Sequence, residues 1–132
     1  MSKEIFWLVL TVAMTGLFWV PYILDRIMVR GLAGAMANPS PNDKAQSAWA
    51  RRLMAAHTNA VENLVIFAPL VLVTQALGIA TAITAFACAL YFWSRLVHVV
   101  VYTLGVPGLR TVSFAGGFVA EVLLVLAIFK LT

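Results

Sequence analysis

Two sets of polar residues recur at helical spacing in an otherwise apolar chain. Arg52, Asn59, Glu62 and Asn63 are separated by seven, three and four positions, counting from Arg52 to Asn59 and from Asn59 onward. At about 100° per residue they fall on one helix face, while His57 points elsewhere. In "YFWSRLVHVVVY" the residues Tyr91, Arg95, His98 and Tyr102 form a second stripe at spacings of four, three and four. Arg110 and Thr111 follow in "LGVPGLRT". Arginine recognises carboxylates through a two-pronged donor geometry, and an unpaired glutamate suits an ammonium. A small zwitterion with excess carboxylate fits both. Arginine guanidinium and tyrosine or threonine hydroxyl groups also donate to a thiolate, which keeps a thiol nucleophile ionised.

The elements that carry these residues are membrane helices. The chain is 63% hydrophobic over 132 residues, more apolar surface than one small soluble core hides. Ile5 to Leu24 carries no charge and is bracketed by Glu4 and Asp25, a length that crosses roughly 30 Å of hydrocarbon. A signal peptide is the competing reading, because "AGAMA" (33–37) has small residues of the cleavage type. The apolar run is too long for a typical leader and its basic flank is one lysine, so a retained helix is expected. Leu64 to Ser94 is again free of charge, and the glycine of "ALGIAT" marks a reversal. "LGVPGLR" ends the next helix. The expectation is an all-α integral membrane four-helix bundle, a single domain over 1–132, with helices at about 5–24, 53–77, 79–104 and 111–130.

Arg26, Arg30, Lys44, Arg51, Arg52 and Arg110 lie in or beside the connections 1–2 and 3–4, whereas Lys3 and Lys130 lie at the opposite end. The positive-inside rule then places both termini outside the cytoplasm and both connections within it. The net charge of +4 reports topology and contact with anionic membrane lipid. Nucleic acid is excluded as a partner, since no soluble basic face exists. At 1.5 Å per residue Asn59 and Glu62 lie about 9 to 14 Å beyond Leu53, and His98 and Tyr102 about 3 to 9 Å from Leu104. Both stripes therefore reach the same half of the bilayer, as one polar pocket open to the cytoplasm.

Blander readings apply to several of these residues. An intramembrane pair can serve only to fix helix register, and Asn and His can be hydrogen-bonding glue between helices. Two stripes at matched depth with an arginine at the rim favour function, because ionisable groups in a membrane are costly. Tyr91 reads as packing, and Trp7, Trp19, Trp49 and Trp93 as interface anchors or lipid-facing packing. Cys88 is the sole cysteine, which excludes paired-cysteine redox chemistry and leaves a small buried apolar residue. Glu121 needs a partner, and Arg95 is the expected one, as a structural pair. No metal is implied, since His57 and His98 sit on different helices without a ligand cluster.

These residues resemble the family of membrane-associated proteins in eicosanoid and glutathione metabolism. The likeness covers most of the chain: four helices, "ANP" (37–39), "AHTNAVEN" (56–63) and "RLVHVVVYTLGVPGLRTVSF" (95–114). It implies homotrimers with glutathione as co-substrate between neighbouring subunits, near the cytoplasmic face. It also implies a lipophilic small molecule entering from the bilayer. By resemblance Asn59 and Glu62 hold the backbone and ammonium of glutathione, His98 and Tyr102 line the pocket, and Arg110 stabilises the thiolate with help from Thr111. Asn38, Arg52 and Arg95 complete the expected glutathione-binding set. Where eicosanoid-making members carry arginines on helix 2, this sequence has Ala55 and Thr58. Arg52 shares the face of Asn59 and is the expected substitute, with Arg51 beside it.

The resulting expectation is a glutathione-dependent transferase or peroxidase acting on a lipophilic electrophile or lipid hydroperoxide. The rival is a non-catalytic protein of the same fold that binds a lipid or a protein partner. A small proton-coupled exporter is disfavoured, because Ile5 to Leu24 holds no carboxylate. The short connections point to a bacterial inner membrane.

Overall fold

The computed structural model describes residues 1–130; the last two residues of the domain expected over 1–132 lie outside them. Five helices follow in order: α1 (Lys3–Leu17), α2 (Trp19–Met36), α3 (Ala48–Ala76), α4 (Ala82–Leu104) and α5 (Pro107–Ile128). The described residues contain no strand. Four helical stretches are long and apolar enough to cross a membrane, the first being α1 and α2 together. The chain is thus an integral, multi-pass membrane protein built as an all-helical bundle.

The helix expected over 5–24 is longer and interrupted. Pro21 has no N–H to bond the carbonyl of Leu17, and its ring crowds that turn. The chain closes the turn instead with Phe18 N–H donating to Thr15 O at 3.3 Å. Beyond it the helix runs past Asp25, where a charge was expected to end it. Asp25 is buried and accepts hydrogen bonds from Ser47 N at 3.1 Å and Gln46 Nε2 at 3.3 Å. Gln46 also donates to Tyr22 O at 2.7 Å and accepts from Arg26 Nε at 3.1 Å. The charge is therefore satisfied inside the protein, and α2 continues to a break at Gly31 and on to Met36.

The other boundaries shift for local reasons. α3 begins five residues before the expected Leu53. α4 begins at Ala82 because Thr81 and Thr84 form a reciprocal capping box. Pro107 occupies the first turn of α5, where a missing N–H costs nothing, so Arg110 lies within that helix. α4 ends on Gly105 at φ 80°, a left-handed cap that glycine adopts without steric penalty.

α4 lies at the centre, packed on α1, α3 and α5, while α2 packs on α3. The main core joins Leu8, Phe67, Val71, Cys88, Tyr91 and Leu124, among others. Tyr91 is packing, as expected, its ring stacked on Phe67 with centroids 3.7 Å apart. Away from this core the usual pattern is inverted. Val65, Phe86, Trp93 and Phe118 are more than half exposed, whereas Glu4, Asp25, Arg95, His98 and Glu121 are buried. That distribution suits a protein whose solvent is lipid. Trp7 departs from the anchor reading, since it packs against the core.

Candidate functional site

At the basic end of the bundle, α3, α4 and α5 converge. Asn59, His98, Tyr102, Arg110 and Thr111 meet there, with Phe114, around a cavity of about 210 Å³. An adjoining cavity of about 250 Å³ shares Tyr102 and Arg110 and adds Arg52 with the Gly105–Pro107 turn. The two together reach the size range of small-molecule sites, roughly 300 to 1,000 Å³.

Several polar side chains in this region are held by a neighbour. The Arg110 guanidinium carbon lies 4.7 Å from the Tyr102 ring centroid, a stacking contact that fixes its direction. Arg52 Nε donates to Thr103 O at 2.8 Å, which anchors the guanidinium beside the cap of α4. Arg95 is 1% exposed and serves as the support beneath Asn59. Its Nη1 donates to Asn59 Oδ1 at 3.1 Å, and its Nη2 to Phe114 O at 3.3 Å. Because the Asn59 oxygen is engaged, its Nδ2 is left to donate elsewhere. His98 is tied to the first turn of α5, with Nδ1 3.1 Å from the carbonyl oxygen of Arg110. Asn59 and Arg110 thus border one cavity, and Arg52 and Arg110 the adjoining one, a set of donors that suits an anionic ligand.

Arg95 reaches its position only because of Gly117. A Cβ there would lie 2.5 Å from Nη2 and 2.8 Å from Nε of Arg95. Phe114 and Gly117 are site residues that the stripes on α3 and α4 did not mark. Both follow Arg110 at helical spacing, by four and seven positions, so extending the 3.6-residue pattern into α5 would have found them.

Two residues expected in the site, Glu62 and Asn38, stand apart from the cavity, and Arg95 supports it without lining it. Glu62 is exposed and lines a separate concavity of about 310 Å³ with Tyr22, His57, Thr58 and Val61. Three residues turn a helix about 300°, so Glu62 is displaced about 60° from Asn59, and α2 packs along that flank. His57 belongs to this second place, with Nδ1 3.0 Å from Tyr22 Oη. Asn38 is exposed in the connection between α2 and α3. Its neighbours Ala37 and Pro39 line a concavity of about 460 Å³ with Arg26, Arg30 and Arg51. The expected ion pair between Glu121 and Arg95 does not form. Among the described residues the ion pair is Arg30 with Asp43, at 2.8 Å, and Glu121 Oε1 is buried without a partner. Shared depth put the two residues at one level, but the Arg95 fork is turned toward Asn59 and Phe114.

A family model described as the MAPEG family matches residues 5–130. No curated protein and no solved structure matches the chain.

Proposed function

The chain belongs to the MAPEG family, and from that premise we propose that it is a membrane-bound, glutathione-dependent transferase or peroxidase. Its second substrate is a lipophilic electrophile or lipid hydroperoxide taken from the bilayer. The observation that carries this reading is the meeting of Asn59, His98, Tyr102, Arg110 and Thr111 around one cavity. Asn59 Nδ2 and the guanidinium of Arg52 bind peptide oxygens and carboxylate. Arg110, steadied on Tyr102, holds the thiolate with the Thr111 hydroxyl beside it. Positioning and charge stabilisation supply the catalysis.

Three copies assemble, in this reading, with glutathione at the junction of neighbouring subunits. Outward-facing Glu62 supports that arrangement, since an exposed carboxylate within the bilayer needs a partner from outside the chain. Glu62 then receives the ammonium of glutathione bound against the adjacent copy. The basic end faces the cytoplasm by the positive-inside rule, and a bacterial inner membrane is the proposed location.

A second reading, a non-catalytic protein binding a lipid or a protein partner, is favoured by one observation. Ala55 is uncharged, and the Thr58 hydroxyl is occupied by Met54 O at 3.1 Å, so that part of α3 offers no carboxylate clamp. Turnover separates the two. Detergent-purified protein is given glutathione with either an aromatic electrophile or a lipid hydroperoxide. The proposal requires turnover that Arg110→Ala lowers by roughly 100-fold or more, the range seen when one stabiliser of a developing charge is removed. Absence of turnover with both substrate classes supports the second reading.

A further inference from the structure

Neutral histidine has one donor nitrogen and one acceptor nitrogen, and the partner of the first fixes the role of the second. In this chain the partner is the Arg110 carbonyl, 3.1 Å from His98 Nδ1. A carbonyl oxygen only accepts, so Nδ1 carries the proton and Nε2 carries the lone pair. Ser113 agrees with this tautomer. Its Oγ lies 3.4 Å from Nδ1 while donating to Leu109 O at 2.8 Å or Arg110 O at 3.0 Å, which leaves a lone pair for Nδ1–H.

Nε2 is buried and has no hydrogen-bond partner, although His98 is 3% exposed and its ring forms part of the cavity wall. A buried acceptor without a partner is costly in a folded protein. It is also the group that a bound donor would satisfy. The charged side chains facing the ring are Arg95 on α4 and Arg110 on α5. Tyr102 lies edge-on at 5.6 Å and Phe114 at 6.2 Å, and α3 contributes the neutral Asn59. A fixed acceptor therefore belongs to a ring in the wall of a cavity that Arg110 and Asn59 also line.

We propose that His98 Nε2 is the base that takes the thiol proton of glutathione bound in this cavity, with Arg110 holding the thiolate so formed. The proposal rests on the glutathione reading above. The S–H bond breaks, its electron pair stays on sulfur, and the proton forms Nε2–H. The imidazolium remains bonded through Nδ1–H to the Arg110 carbonyl, so the base on α4 is tied to the backbone of the α5 residue that holds the thiolate. In conjugation the sulfur bonds to the electrophilic carbon, and the atom that departs or opens takes the electron pair of the broken bond. Where a ring opens, the same proton passes from Nε2 to the oxygen that takes the pair; where an anion departs, the proton leaves Nε2 to solvent; either way His98 is again neutral.

Retention of the proton makes the proposal measurable. Full-length protein in detergent is titrated with glutathione in weakly buffered medium, with thiolate ultraviolet absorbance and released protons read together and binding followed by calorimetry. The wild type is expected to form thiolate with far fewer than one proton released for each thiolate. His98→Gln is expected to keep glutathione affinity within about threefold while conjugation falls roughly 100-fold, and any thiolate it forms releases a full proton. A merely structural His98 would move affinity together with rate. One proton released per thiolate in the wild type, or bound glutathione that stays a thiol, overturns the role of His98 and leaves the binding reading intact. Failure of the wild type to bind glutathione overturns that reading and this role with it. The proton ratio is read on the wild type and so does not depend on how the variant folds.

Discussion

Arg95 and Asn59, 36 residues apart in the chain, meet with Nη1 3.1 Å from Oδ1. This bond decides which end of the Asn59 carboxamide faces the cavity. The oxygen is turned toward Arg95, and the nitrogen is left as a donor to a ligand. A residue buried at mid-helix thereby sets the polarity of a site it does not line.

Asn59→Asp tests that relationship. The carboxylate accepts from Arg95 as the amide does, so the melting temperature is expected to hold or rise. The donor to the ligand is lost, however, and a negative charge replaces it. Glutathione affinity should fall at least tenfold, about 1.4 kcal/mol, by calorimetric titration. Unchanged affinity would show that Asn59 Nδ2 does not meet the ligand.

Gly117→Ala should destabilise the bundle by about 1–3 kcal/mol, the usual cost of overpacking, because the added Cβ falls 2.5 Å from Arg95 Nη2. Gly16→Ala is the control, since its Cβ meets nothing within 4 Å. Thermal unfolding in detergent compares the two. Equal melting temperatures for both variants would contradict the close approach of Arg95.

Glu121 is buried, and its Oε1 has no partner, so the charge makes no direct ion pair whose loss would be felt. Glu121→Gln should fold and melt within about 1 kcal/mol of wild type or above it, in line with buried charges that are not well paired. A drop of about 3–5 kcal/mol, typical of breaking a buried pair, would show that Glu121 and Arg95 are coupled after all.

How much of this was legible in the sequence varies with the kind of information required. Charge-free runs located all four spans, since length and apolarity are set by the bilayer itself. Boundaries were less legible. The continuation of α2 past Asp25 depends on Gln46 and Ser47, about twenty residues away, which no local pattern reveals. Helical spacing correctly put Arg95, His98 and Tyr102 on one side of α4, because adjacent turns repeat geometrically. It merged Asn59 with Glu62, although α4 and α5 border the first and α2 the second. Glu121 and Arg95 failed as a pair for a related reason: depth along two helices fixes level, and the rotamer of a long side chain is decided by the nearest good acceptors.

The central claim is that the cavity bounded by Asn59, His98, Tyr102 and Arg110 binds glutathione, and thermal stability reads it most directly. A ligand that binds only the folded state must stabilise it, by about 2.7 kcal/mol at a hundred times its Kd. The purified protein is melted with increasing glutathione beside Arg110→Ala and Glu62→Gln. The account predicts a wild-type melting temperature that rises with concentration and a rise that Arg110→Ala loses. Glu62→Gln should lose it too, if the neighbouring copy supplies that carboxylate. A wild-type melting temperature that does not move at millimolar glutathione would contradict the account.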